Sequence, residues 1–377
     1  MSFTDPRSTP DNCPGALSTH QAADGALARV RLPGGAITPP QMHILATTAA
    51  ELGNGSIELT SRGNVQLRAV RDTATFAVRL ADIGLLPSPS HERVRNILAS
   101  PLSGRVDGLT NVRPMVEQLD QALCARPELA QLPGRTLFAL DDGRGDVAAL
   151  APDFGVRAIS QERYALLLAG ADSGIRVPSK EVVATLIDAA QCFLDLRDDE
   201  WRLTELVDGS ARVAAALGLS AETPQEFDDP TATPPIGWLP QRDGSVALGG
   251  ALALGLLDAR LGEFLAAIDK PLVVTPWRSL LVFDLDEDTA ETVVRVLAPM
   301  GLIFDANSPW VDASSCVGSQ GCGKAHADVR ADLTEAVGAG AVASGGRQHW
   351  SGCERRCGRP TGPVTDVIAG PTGYRVS

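Results

Sequence analysis

Lysine is almost absent from this chain. Only Lys180, Lys270 and Lys324 occur among 33 basic residues, so arginine carries nearly all of the positive charge. Acidic residues number 46 and the formal net charge is −13. That balance excludes general nucleic-acid binding, which needs a basic face that releases counterions. No apolar run reaches the roughly 18 residues of a membrane helix. The best candidate, Gly249 to Ile268, is broken by Asp258, Arg260 and Glu263. The stretch Met1 to Asp24 is polar, holds Pro6, Pro10 and Pro14, and has no apolar core of a signal peptide. The expectation is a cytoplasmic protein with no membrane or nucleic-acid partner. There is no Gly-x-Gly-x-x-Gly with a downstream ribose acid, no P-loop, no Gly-x-Ser-x-Gly and no HExxH. The chain therefore shows no nicotinamide or flavin domain of its own, and an electron-transfer reaction would draw on an external reductase or ferredoxin.

What is there suits a globular protein of two or three domains: 377 residues, 44% of them apolar and 21% charged. The arginine excess has two readings. One is a coding bias. The other is forked recognition of carboxylates or phosphates, which arginine performs better than lysine.

The pattern of elements repeats. Ala26 to Arg31 alternates as a strand, and Pro33-Gly34-Gly35 turns the chain. Thr38 caps a helix that opens on Pro39 and Pro40. Met42, Leu45, Ala46, Ala49 and Leu52 recur at helical spacing until Gly53. Strands Ser56 to Thr60 and Asn64 to Val70 follow, joined at Ser61-Arg62-Gly63, and then a helix from Asp72 to Gly84. The same β-α-β-β-α order returns after Ser245. It runs through a strand near Val246 to Leu254 and a helix from Ala259 to Ile268. Strands PLVVT and SLLVFDL then meet at Pro276-Trp277-Arg278, and a helix spans Asp286 to Ala298. Duplication with an insert after each half is the simplest account. The first insert reads as mixed α/β, with helices at Val112 to Ala125 and Glu181 to Asp195. Strands are expected at Thr136 to Asp142, at VAALA (Val147 to Ala151) and near Gly155 to Ile159. Leu219 to Trp238, rich in proline and acid, reads as an exposed connection.

Seven cysteines in such a chain point to metal or redox chemistry. Four are clustered: Cys316 and Cys322 are separated by VGSQG, and Cys353 and Cys357 by ERR. Four thiolates can hold zinc or an iron–sulfur cluster. Zinc ribbons favour two-residue gaps, whereas gaps of five and three, flanked by Gly318, Gly321, Gly323, Gly352 and Gly358, suit a larger object reached from two loops. Cys13 is left without a role.

The Cys-x5-Cys and Cys-x3-Cys pairs resemble the cluster motif of the siroheme-dependent sulfite and nitrite reductase superfamily. ALARVRLPGGAITPPQ and IELTSRGNVQLR resemble its first ferredoxin-like half. HERVRNILASPLSG and LPGRTLFALDDG resemble the tetrapyrrole-contacting motifs that follow. The resemblance implies an α+β, sulfite/nitrite reductase-like fold. Two ferredoxin-like half-domains would pack together beside two α/β domains that bind tetrapyrrole and cluster. The expected divisions are 1–87 (N-terminal segment and first half), 88–240 (α/β domain with linker), 241–308 (second half) and 309–377 (cluster domain). It implies a 4Fe–4S cluster on Cys316, Cys322, Cys353 and Cys357, with Cys357 at the position that bridges to siroheme in the reductases. It implies tetrapyrrole contacts from Arg29, Arg31, Arg62, Arg68, Arg95 and Arg135, with Arg93 in the same motif.

Two departures bear on function. The reductases commonly carry two basic residues, two apart, after Leu-Pro; here Arg135 is followed by Leu137. The segments Asn12-Cys13-Pro14-Gly15-Ala16-Leu17 and His349-Trp350-Ser351-Gly352-Cys353 are similar to a short branch of the superfamily that acts in cobalamin biosynthesis. For that branch the resemblance implies O2-dependent hydroxylation and γ-lactone formation on precorrin-3A, a ring with eight carboxylates that fixed guanidiniums would grip. A mononuclear non-haem iron is the further group such chemistry would call for, but the sequence shows no ligand set for it; His326 with Asp328 is the nearest pair. Siroheme belongs to the alternative, a sulfite or nitrite reductase of reduced size.

Overall fold

The computed structural model describes residues 11, 13–227, 233–342 and 345–377, and the chain packs as two units. Residues 1–10 and 12, with Pro6, Pro10 and Asn12, lie outside the described residues, as do 228–232 of the proline-rich connection. Among the described residues no helix is long and apolar enough to cross a membrane.

One unit combines residues 16–30, 36–85 and 234–377. It holds the two repeats, each built on its own antiparallel sheet. In the first, Gly25–Val30 pairs with Val65–Val70, which pairs with Ser56–Leu59. In the second, Val246–Leu252 pairs with Ser279–Leu285, which pairs with Leu272–Val274. Each sheet is then completed by a strand from the other repeat. Ala36–Ile37 lies on Leu272–Val274, with Ile37 opposite Leu272, and Leu256–Asp258 lies on Ser56–Leu59, with Leu257 opposite Ile57. Helices Pro39–Leu52 and Ala259–Ala267 pack closely, and a Cβ on Gly262 would meet the Ala46 methyl at 3.0 Å.

The duplication extends to backbone detail. Thr60 and Asn64 close the first turn as Thr275 and Ser279 close the second, each through an N–H···O bond of 2.9 Å. Ala69 and Asp284 take left-handed φ values of 52° and 59° at matching bulges. Asp72 and Asp286 cap the last helix of each repeat by accepting from the N–H of Thr75 and Thr289. In the turn itself Gly63, at φ 61°, is matched by Arg278 at φ 57°.

The other unit comprises residues 1–15, 31–35 and 86–233. Its sheet runs Ala171–Pro178, Arg163–Leu168, Phe154–Ala158, Phe138–Asp141, Ile97–Ala99, the last three strands parallel. Helices Arg113–Cys124, Val182–Leu196 and Gly209–Leu217 cover one face, as the 3.6-residue spacing of Val182, Leu186, Ala189 and Phe193 requires. Phe138, Phe154 and Phe193 stack there with centroids 5.6 and 5.8 Å apart. The opposite face has a smaller core of Leu98, Leu137, Ala139 and Val147.

The expected strand at VAALA is instead a 3₁₀ turn, Ala148–Leu150. The cause is Asp141, whose carboxylate accepts from the N–H groups of Gly143, Gly145, Val147 and Ala148 and so removes them from any ladder. The proline-rich connection also differs from expectation at its end, where Gly237–Pro240 is an edge strand of the second repeat's sheet.

Asp146 lies beside Asp141. Burial, and then the Asp141 charge, push its carboxyl from 3.8 up to about 7, against a 2.6 Å bond from Ser100 Oγ and the charge of Arg144. A folded pKa above the unfolded one means the stabilising contribution is complete below pH 3.8 and is lost as pH rises through about 7. Asp146→Asn should therefore raise the first thermal transition at pH 8 by about 2–4 °C, the shift that ~1 kcal/mol makes in a unit of this size. It should leave the transition unchanged near pH 4. Calorimetry at the two pH values checks this, and equal pH slopes in both proteins would refute it.

Candidate metal centre

The four clustered cysteines sit on a small sheet at the C-terminal end of the chain. Ala313–Ser315, Gln348–Ser351 and Thr365–Gly370 run parallel, and Gly373–Val376 closes the sheet as a hairpin. Parallel strands end on one edge. Cys316 follows the first strand directly and Cys353 lies just past the second, so both loops leave from the same edge. Cys316 N–H donates to the Trp350 carbonyl at 3.0 Å, which extends the pairing into the first loop. That loop folds back on the second: His326 N–H reaches Gly352 O at 2.8 Å, and Ala325 N–H reaches Cys322 O at 3.1 Å. Gly352 has no room for a side chain, since a Cβ would sit 2.5 Å from that of Ala325.

All four thiols are free. Cys316 Sγ accepts from the N–H groups of Gly318 at 3.4 Å and Gly352 at 3.2 Å. Burial pushes the Cys357 thiol above its ordinary value, and its neighbours Cys316, Cys353 and Cys322 push it the same way against Arg355. The thiols are thus close enough to repel one another as thiolates, and a bound cationic group would relieve that repulsion. Among the described residues no three or more His, Cys, Asp or Glu side chains converge on a point suited to one metal ion. Four free thiols on two glycine-bearing loops, with backbone N–H groups on a ligand sulfur, fit an iron–sulfur cluster.

His349 is buried under the second loop. Its Nδ1 lies 2.9 Å from Ser314 Oγ and its Nε2 lies 3.2 Å from the Cys357 carbonyl. Burial, and then the Arg278 charge, push the imidazole down to about 4, so it is neutral at neutral pH. A carbonyl can only accept, so Nε2 carries the proton and Nδ1 takes the Ser314 hydroxyl. His349 therefore props the loop that carries Cys357. His326 is exposed, and Asp328 caps helix Val329–Gly338 through Ala331 N–H, so these two do not form a ligand pair.

The arginines divide between the units. Arg68 is buried; its Nε and Nη2 each contact Asp24 at 2.7 Å, and Nη2 also reaches Gly321 O at 3.0 Å. Arg29 forks onto Gln66 Oε1, Gln66 reaches Glu58 at 2.5 Å, and Glu58 pairs with Arg330 at 2.8 Å. Arg62 is half-buried in the first repeat's turn, its N–H on Thr60 Oγ1. In the other unit, buried Arg31 donates to the carbonyls of Pro14 and Arg93, and buried Arg95 forks onto Asp120 at 2.7 Å. Arg135 is exposed, 4.7 Å above the Trp201 ring. One residue escaped the sequence reading: Arg278, whose Nη2 donates to Gly358 O at 2.5 Å. Aligning the two turns would have singled it out, because it stands where the first repeat has Gly63.

Cys322→Ser or Cys353→Ser should abolish iron and acid-labile sulfide in purified protein and lower soluble yield, because ligation couples to folding. Full iron and sulfide in either variant would remove that residue from the ligand set.

Residues 20–79 match the nitrite/sulfite reductase ferredoxin-like half domain. A precorrin-3B synthase from Sinorhizobium sp is 28% identical over 377 residues, covering 96% of this chain and 81% of that protein. A ferredoxin–nitrite reductase from Synechococcus elongatus is 34% identical over 128 residues, covering 31% of this chain and 25% of that protein. The solved structure of the Mycobacterium tuberculosis NirA protein superposes with a TM-score of 0.78 at 20% identity, over 93% of this chain and 74% of that one. The chain thus has the nitrite/sulfite reductase fold, and along nearly its whole length it is similar to a precorrin-3B synthase.

Proposed function

We propose that the protein is a precorrin-3B synthase, hydroxylating precorrin-3A with O2 and closing a γ-lactone from a ring acetate. One oxygen atom enters the ring carbon and the other leaves as water, with two electrons supplied by an external reductase or ferredoxin. Cys316, Cys322, Cys353 and Cys357 would hold a 4Fe–4S cluster, which when bound passes electrons one at a time, as reaction with triplet O2 demands. Arg29, Arg31, Arg62, Arg68, Arg95 and Arg135 are assigned to the substrate carboxylates.

The observation that carries this reading over anion reduction is Leu137. The place where the reductases keep a second basic residue is here 4% exposed and packed with Leu98, Ala139 and Val147. A cation cannot stand there without dismantling that core. The similarity along 96% of the chain to a precorrin-3B synthase supports the same choice.

The test begins with an absorption spectrum and sulfide assay of anaerobically purified protein. About four irons and four sulfides per chain are expected, with a broad charge-transfer shoulder, no sharp haem-like bands, and loss of precorrin-3A only when O2 and reductant are both present. A strong Soret band with turnover of sulfite or nitrite would establish the siroheme reductase instead. Arg62→Ala should weaken precorrin-3A binding by about 1.5–3 kcal/mol, the scale of a charge-assisted contact; unchanged affinity in a titration would take Arg62 off the site.

A further inference from the structure

Two guanidiniums, one from each repeat, reach the carbonyls beside two of the four cysteines. Arg68, on strand Val65–Val70 of the first repeat, donates to the carbonyl of Gly321, the residue before Cys322. Arg278, in the matching turn region of the second repeat, donates to the carbonyl of Gly358, the residue after Cys357. Each works against a glycine that leaves space for it. A Cβ on Gly321 would stand 2.5 Å from Arg68 Nη2, and one on Gly358 would stand 3.1 Å from Arg278 Nη2.

Arg278 also sits in a costly conformation. Its φ of 57° is left-handed, where the first repeat has Gly63 at 61°. A side chain there is strained where glycine is not, and such strain persists where the surroundings hold it for a purpose. The contact to Gly358 is what the arginine gains at that position and glycine would lack. The two arginines differ in charge balance. Arg68 is neutralised by its fork onto Asp24. Arg278 has Glu58 among its nearest charges, but Glu58 is already paired with Arg330.

We propose that Arg278 and Arg68 are positioning residues for the four-cysteine centre: both clamp the loops that carry Cys357 and Cys322, and Arg278 adds uncancelled positive charge beside it. This rests on the reading that the four cysteines hold an iron–sulfur cluster. Positive charge near a cluster favours its reduced form. Arg278 thus raises the reduction potential, and both clamps slow the opening through which iron is lost.

The experiment compares anaerobically purified wild type, Arg278→Met, Arg278→Lys and Arg68→Lys. The readouts are iron and sulfide content, midpoint potential, and the rate of iron loss to a chelator. Wild type without iron and sulfide would defeat the cluster reading itself, separately from the clamps. With wild type loaded, Arg278→Met should show a more negative potential, which Arg278→Lys largely restores. Both Arg278→Met and Arg68→Lys should lose iron several-fold faster. Should Arg278→Met fail to load, Arg278→Lys must still lose iron faster than wild type, since it keeps the charge but not the guanidinium N–H placed on the Gly358 carbonyl. Wild-type potential and wild-type iron loss in Arg278→Met, or wild-type iron loss in both lysine variants, would overturn the proposal.

Discussion

Each repeat lacks one edge of its own sheet, and the other repeat supplies it. The pairing of Ala36–Ile37 with Leu272–Val274, and of Leu256–Asp258 with Ser56–Leu59, means that neither sheet is complete without the other. An unpaired edge leaves a row of N–H and C=O groups unsatisfied, and burying such a row is expensive. The exchange therefore locks the two repeats into one body. The cysteine loops depend on that body, because Arg68 reaches them from one repeat and Arg278 from the other.

The arginine-rich composition takes on a different meaning in this light. Coding bias and substrate recognition were the two readings that composition left open, and the structure adds internal carpentry. Arg31 grips two carbonyls, Arg95 forks onto Asp120, Arg176 forks onto Asp172, and Arg202 bridges Asp153 and the Ala151 carbonyl. The fork geometry lets one buried cation satisfy several acceptors at once, which an ammonium on a flexible stem does less well. An acidic protein can thus spend many of its arginines inside.

The repeat, the four cysteines and the main helices were legible because each has a local signature: matched turns, matched Asp caps, 3.6-residue apolar spacing, paired thiols among glycines. The strand expected at Val147 to Ala151 was not, because its apolar run is a turn held by Asp141, six residues upstream. The partners of Arg31, Arg68 and Arg95 were not legible either. Their acceptors, Pro14, Asp24, Gly321 and Asp120, are brought near by the fold, and nothing in the spacing of the arginines announces them. His349 was readable as a neighbour of the cysteines, but its task depends on Ser314 from the adjacent strand.

The strand exchange also has a consequence in time. Ser56–Leu59 emerges from the ribosome early, while its partner Leu256–Asp258 lies about two hundred residues later. At translation rates of about 5–20 residues per second, the first sheet waits for roughly 10–40 s with an open edge. During that interval the nascent chain offers a ready template for pairing with a neighbour on the same message. A fold that keeps its halves together so firmly once finished carries, while being made, an edge still waiting for its strand.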